Sequence, residues 1–211
     1  MDFFHSLLKT TQGQSVARTA MNQSFRGMTL PGKILDIGGA RNPDYFSYLN
    51  LQSGSTVDVT DGSLSQIDFE KDTLPYADET YDSVVLCNVL EHIFNHSHLL
   101  AEASRVMKKG GTFLGFVPFL IQYHADPHDY FRYTHEALQK LLEKAGFTGI
   151  KIIPVGKGPS LVLCSALIQG IPRFLRPLWF IPCYLFDTLF SFFKKDATRR
   201  FPLGYTFTAT K

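Results

Sequence analysis

The densest gathering of reactive side chains lies in residues 118–134, PFLIQYHADPHDYFRYT, which hold two histidines, two aspartates, three tyrosines and an arginine. That density exceeds what solubility asks of a loop. Histidine is the side chain whose ordinary pKa lies nearest neutrality, which suits it to accept a proton from a hydroxyl-type acceptor. His124 is read as that base, with Asp129 orienting or neutralising it and Arg132 anchoring the loop or an acidic acceptor. The alternative is a rigid lid in which Asp129 and Arg132 pair with each other. His124, Asp126 and His128 are also metal-type donors, but no fourth ligand accompanies them, so no metal is expected.

The elements around this loop alternate between strand and helix. Pro31-Gly32 breaks the chain before Lys33-Ile34-Leu35-Asp36-Ile37, a short buried strand. Further strands are expected over 55–59, more weakly over 66–69, then over 83–87, 112–117, 147–155 and 205–209. Ser83-Val84-Val85-Leu86-Cys87 is the apolar run that a parallel sheet buries on both faces. Asn42, Pro43 and Asp44 signal a helix start. From Asn95 the apolar residues Leu99, Leu100, Ala103, Val106 and Met107 share a helical face, closed by Lys108, Lys109 and Gly110. Thr134 caps another helix burying Leu138, Leu141, Leu142 and Ala145. Residues 1–30 form a helical leader with Phe3, Phe4, Leu7 and Leu8 on one face. The pattern predicts one α/β domain over 1–211: a Rossmann-like, seven-stranded, mostly parallel sheet with flanking helices and an apolar helical insertion before the last strand.

The loop after the first strand, Gly38-Gly39-Ala40-Arg41-Asn42, is made of small residues where open α/β sheets hold their ligands. Asp58 stands twenty residues beyond Gly38 and can accept hydrogen bonds from a ligand's paired hydroxyls. The glycines are adjacent and do not form the G-x-G-x-x-G that cradles a dinucleotide pyrophosphate, which disfavours a nicotinamide oxidoreductase.

On these residues the chain resembles the class I S-adenosylmethionine (SAM)-dependent methyltransferases. Leu35-Asp36-Ile37-Gly38-Gly39-Ala40 is similar to their first motif and Asp58-Val59 to their second. Asp68-Phe69-Glu70, with Leu74-Pro75-Tyr76 and Tyr81-Asp82, resembles the adenine-side segment of the broad methyltransferase type 11 group. Cys87-Asn88-Val89-Leu90-Glu91-His92 and Arg105-Val106-Met107-Lys108-Lys109-Gly110-Gly111 resemble its later stretches. The likeness runs over roughly residues 30 to 155 and departs from the pattern at Ala40 and Asn42, where the group has glycine. It implies SAM as cofactor. Asp36 would position the methionine end, Gly38, Gly39 and Ala40 would pass beneath it, and Asp58 with Val59 would mark the ribose. Asp68 and Phe69 would frame the adenine, and Asn88 would line the floor near the sulfonium. Residues 118–134 resemble a bacterial subgroup found among glycan and small-metabolite modifiers, which implies a small-molecule or glycan-type acceptor. The alternative on the same fold is a non-catalytic SAM-binding or partner subunit.

The net charge of +2 offers no nucleic-acid surface. Cys87, Cys164 and Cys183 lack metal or disulfide spacing, and the N-terminal stretch lacks a secretion signal, so a cytoplasmic protein is expected. Of 19 Phe, 9 Tyr and one Trp, eleven fall between Phe174 and Phe207. Residues 159–193 are nearly all apolar but interrupted by Arg173, Arg176, Asp187 and prolines, which argues against a membrane span. The segment is expected to cap the acceptor pocket with those charges outward or at the rim. A homodimer face and peripheral membrane contact are the other readings.

Overall fold

The computed structural model describes residues 1–39, 43–60 and 67–211. One six-stranded sheet forms its centre, built from β1 (Lys33–Ile37), β2 (Thr56–Thr60), β3 (Tyr81–Cys87), β4 (Met107–Pro118), β5 (Thr148–Val155) and β6 (Gly204–Thr210). Their order is β2-β1-β3-β4-β6-β5. Neighbours from β2 to β4 pair in parallel, and β6 runs antiparallel to both β4 and β5. Ile34, Leu35, Ile37, Val84, Val85 and Leu86 are all buried, as an apolar strand covered on both faces must be.

Two cores lie on opposite faces. On one, α3 (His96–Val106) and α4 (His135–Lys144) pack Leu99, Leu100, Val106, Leu138 and Leu142 against Val84, Phe113 and Phe207. On the other, α1 (Phe3–Thr11), α2 (Val16–Ser24), α5 (Pro159–Leu167) and α6 (Arg176–Phe193) meet Ile34, Val85, Leu114 and Phe116. A last short helix, α7 (Ala197–Arg200), leads into β6.

The chain departs from the expected elements at four places. The sheet has six strands, not seven, because residues 67–76 form turns; Ile67 to Phe69 leave no ladder and are held by Asp68 and Glu70 side-chain bonds. Only a 3₁₀ segment, Asp44–Tyr48, replaces the helix expected after Pro43, and Asn42 lies outside the described residues. Asp44 is recruited sideways, accepting from Arg18 Nη2 (2.6 Å), Asn22 Nδ2 (2.7 Å) and Gln14 Nε2 (2.5 Å), which ties that turn to the leader. The helix from Asn95 stops at Val106, and Lys108, Lys109 and Gly110 already belong to β4. Finally, Phe3 turns inward to Phe180 and Tyr184 while Phe4 and Leu8 are exposed, so the leader's apolar residues do not share one face.

Candidate active site

The carboxyl ends of β1, β3 and β4 open onto two cavities. Gly38, leaving β1, takes φ +76°, a left-handed conformation that favours glycine, and its N–H donates to the Thr60 carbonyl at 2.6 Å. A Cβ there would strike the Val89 side chain, and one on Gly39 would strike the Asp36 carboxylate. The adjacent glycines therefore let the backbone pass close to Val89 and Asp36 at the end of β1. Asn88, leaving β3, is also left-handed at φ +54°, which asparagine tolerates better than most residues. Its N–H bonds the Phe116 carbonyl at 3.0 Å, which fixes the gap between β3 and β4.

The larger cavity, of 850 Å³, is walled by Gly38, Asp68, Phe69, Asn88, Val89 and Tyr130, among others. The smaller, of 540 Å³, is walled by Arg18 of α2, Phe116, Gln122, His124, Ser165 and Gln169. Asn88, His92 and Asp126 border both, so the two spaces meet across the end of β3.

The loop carrying His124 is fastened to the turn after β3. The Glu91 carbonyl accepts from the Tyr130 and Phe131 amides (2.7 and 3.2 Å), and the Leu90 carbonyl accepts from the Tyr133 hydroxyl (3.0 Å). The His128 carbonyl lies 2.5 Å from His92 Nδ1. Within the loop, Asp129 is enclosed: its carboxylate accepts from both Arg132 Nη atoms (2.5 and 2.6 Å) and from the His124 N–H (2.8 Å). The Arg132 guanidinium beside it holds the Asp129 carboxyl down at about 2. Arg132 also donates to the Phe131 and Gln122 carbonyls, so its guanidinium is committed to the loop and not to an acidic acceptor.

His124 and His92 both reach open space, and His92 Nε2 stands 3.7 Å from Glu91 Oε1; His124 is the more exposed of the two. Its Nε2 stands 3.7 Å from Glu91 Oε1, and its Nδ1 faces the Gln122 carbonyl at 3.3 Å and Asp129 Oδ2 at 3.5 Å. Glu91, then the Gln122 carbonyl and Asp129, raise its pKa above the ordinary value against an opposing push from burial. Glu91 itself is wholly buried, and neither of its carboxylate oxygens has a hydrogen-bond partner among the described residues. A carboxylate so placed stabilises a positive imidazolium next to it.

The other sequence-derived residues divide by where their side chains go. Gly38, Asp68, Phe69 and Asn88 border the larger cavity. Gly39 shapes the loop from beneath it. Asp36 borders neither cavity: it is buried at the end of β1, where Tyr45 donates to it at 2.5 Å and burial raises its pKa to about 7. Asp58 is also away from both cavities. It sits in mid-strand beside Leu35, its carboxylate accepting from Tyr81 (2.9 Å) and pairing with Lys33 Nζ (3.1 Å) near the start of β1. The reason is register: the carboxyl end of β2 is Thr60, two residues on. Val59, paired with Asp36, lies in the ladder and likewise borders no cavity. Ala40 lies outside the described residues. The sequence pattern gave Glu91 no role of its own; its signal was the Glu-His pair shortly after an apolar strand, where His92 is readable as a structural or a catalytic histidine, and Asp126, expected only as a metal-type donor, borders both cavities.

The insertion does two things. The inner side of α5 and the turn after it bury Leu161, Cys164 and Ile168, and α5 places Ser165 on the smaller cavity. The charges expected at the rim are inside instead. Asp187 caps α5, accepting from the Ser160 and Leu161 amides at 3.0 and 2.8 Å, and Arg176 donates to the Ile171 and Thr10 carbonyls. Each pays for burial with backbone hydrogen bonds. Arg173 remains exposed.

The sheet order, the glycine turn after β1 and the ligand-sized space over the carboxyl ends define a Rossmann-like cofactor fold, and solved structures place it more narrowly. The 4+2 cyclase SpnF superposes with a TM-score of 0.53 at 18% identity over 93% of this chain and 80% of that one. Phosphoethanolamine N-methyltransferase 2 of Haemonchus contortus, solved with phosphomonomethylethanolamine and S-adenosylhomocysteine, superposes with a TM-score of 0.52 at 18% identity, over 92% of this chain and 52% of that one. The chain shares the fold of these structures, one of which is named as a methyltransferase. Residues 48–115 match the family model described as a methyltransferase domain. A protein of Mycolicibacterium smegmatis named as a probable S-adenosylmethionine-dependent methyltransferase is 31% identical over 120 residues, 54% of this chain and 44% of that protein. The chain thus spans less than half the length of that relative.

Proposed function

We propose that this chain binds SAM in the larger cavity and transfers its methyl group to a small-molecule or glycan-type acceptor held in the smaller one. The observation that carries the reading is the junction: two cavities of 850 and 540 Å³ sharing Asn88, His92 and Asp126, with a raised-pKa histidine on the acceptor side. Methyl transfer is an in-line displacement, and two pockets meeting over one strand end supply the positioning it needs. Gly38, Phe69 and Asn88 would hold the cofactor, which delivers the methyl group from its sulfonium. Toward a hydroxyl acceptor, His124 takes the proton that leaves as the new bond forms. The buried Glu91 carboxylate, 3.7 Å away, stabilises the imidazolium that results. Asp129 and Arg132 position the His124 backbone and do not touch the acceptor.

The fold by itself leaves the reaction open, since one protein that superposes on it is a cyclase. Incubation with SAM and metabolite or glycan pools, read by mass spectrometry for a methyl-for-hydrogen mass gain, tests the reading. The parent is expected to give a methylated product. His124→Ala is expected to lose about 10²–10⁴ in turnover while still binding SAM. SAM binding without any methylated product would favour the non-catalytic subunit instead.

A further inference from the structure

The outer side of α6 carries large apolar residues that none of the described residues covers. Leu178, Trp179, Leu185, Phe186, Leu189, Phe192 and Phe193 are all exposed, and at this spacing they form one helical stripe. The opposite side, with Phe180, Tyr184 and Asp187, is buried against α1 and α5. Phe192 and Phe193 are 76% and 78% exposed and Leu178 is 73% exposed, so the stripe is solvent-facing along its whole length. From Leu178 to Phe193 it runs for about 24 Å. Soluble surfaces rarely carry so long an apolar patch without a partner.

Charge identifies the partner. Arg173 stands before the helix, and Lys194, Lys195, Arg199 and Arg200 follow it, all exposed. From residue 156 onward the acids are Asp187, buried under α5, and Asp196, paired with Arg200 at 2.6 Å. An apolar stripe with cations at both ends matches an anionic lipid surface, which offers acyl boundary and headgroup charge together. A second copy of the chain fits worse. Paired parallel or antiparallel along the stripe, two such helices would set cation against cation at their ends. Among the described residues no helix is long and apolar enough to cross a membrane, so the geometry is that of a helix lying in the interface.

We infer that the outer face of α6 docks the protein onto membranes carrying anionic lipid, with Leu178, Trp179, Leu185, Phe192 and Phe193 inserted and Lys194 and Lys195 on the headgroups. This goes beyond the methyl-transfer reading and stands without it.

Trp179 is the chain's one tryptophan and is 39% exposed on this stripe, so its fluorescence reports docking directly. Vesicles of phosphatidylcholine alone, and of phosphatidylcholine with phosphatidylglycerol, are mixed with the full chain and read by Trp179 emission and co-sedimentation. The expected result is a blue shift and sedimentation with the anionic vesicles, both weaker at high salt and with phosphatidylcholine alone. Lys194→Gln with Lys195→Gln should weaken binding about 25-fold, from roughly fivefold per cation. Phe192→Ser with Phe193→Ser should remove the blue shift while thermal unfolding stays cooperative. A parent with no vesicle binding, or binding indifferent to both pairs of substitutions, would overturn the proposal. So would a parent that light scattering shows to be a dimer and that Phe192→Ser turns into a monomer.

Discussion

Asp36→Asn separates the energetic cost of a buried carboxyl from its structural use. Asp36 is fully buried at the end of β1, one oxygen accepting from Tyr45 and the other without a partner among the described residues. Burial lifts its pKa from 3.8 to about 7. Because the folded value lies above the unfolded one, the native state holds the proton more tightly. Stability is then greatest below the unfolded value and falls as pH rises through 7. From 3.8 to about 7, at roughly 1.4 kcal/mol per pH unit, the penalty reaches a ceiling of about 4 kcal/mol. Asparagine keeps the oxygen that accepts from Tyr45 but turns an amide toward the unpartnered position, costing about 1–3 kcal/mol. Near pH 8 the variant should therefore be about 1–3 kcal/mol more stable than the parent. Near pH 5, where only about a third of the penalty is present, the gain should vanish or reverse. Urea unfolding at both pH values is the assay. In a chain this long each kcal/mol also moves Tm by about 2–4 °C. A stability difference that does not change between the two pH values would refute the reasoning.

Other substitutions test the loop and the strands. Glu91→Gln removes the largest influence raising His124, so the rising limb of the pH–rate profile should move to lower pH, toward the ordinary histidine value; a limb that stays in place would remove Glu91 from the site. Arg132→Ala leaves the enclosed Asp129 carboxylate without its guanidinium and should cost up to about 3 kcal/mol in denaturant unfolding. That loss should be present at neutral pH and shrink as pH falls toward 2, where Asp129 takes up a proton in the parent as well. Asp58→Ala breaks a partly exposed pair with Lys33 and should change stability by less than about 1 kcal/mol. Calorimetry should find its SAM affinity equal to the parent's.

The parts of the fold written in local pattern were legible from the sequence. The strand at 33–37 was placed residue for residue, and the cap at Thr134, whose hydroxyl accepts from Ala137 N–H, marked the start of α4. Adjacent glycines after the first strand pointed to a close approach, and Val89 and Asp36 are what approaches. Legibility failed where tertiary partners decide. Asp58 has the right spacing for a ribose ligand, but a shift of two residues along β2 leaves it in mid-strand on Lys33 and Tyr81. Asp187 and Arg176 look like surface charges, yet each finds backbone groups inside the α5–α6 layer. Glu91 enters the sequence only as part of the Cys87–His92 stretch with no role of its own, and it is burial beside His124 that makes it the group that tunes that histidine.

Calorimetric titration of the full chain with SAM, S-adenosylhomocysteine and NAD tests the central claim most directly. The larger cavity, walled by Gly38, Phe69 and Asn88 in a sequence that lacks G-x-G-x-x-G after its first strand, predicts one site for SAM and for S-adenosylhomocysteine and no heat from NAD. The same site should persist in His124→Ala, whose side chain belongs to the other cavity. Binding of NAD with no response to SAM, or loss of the SAM site in His124→Ala with its fold intact, would contradict the account.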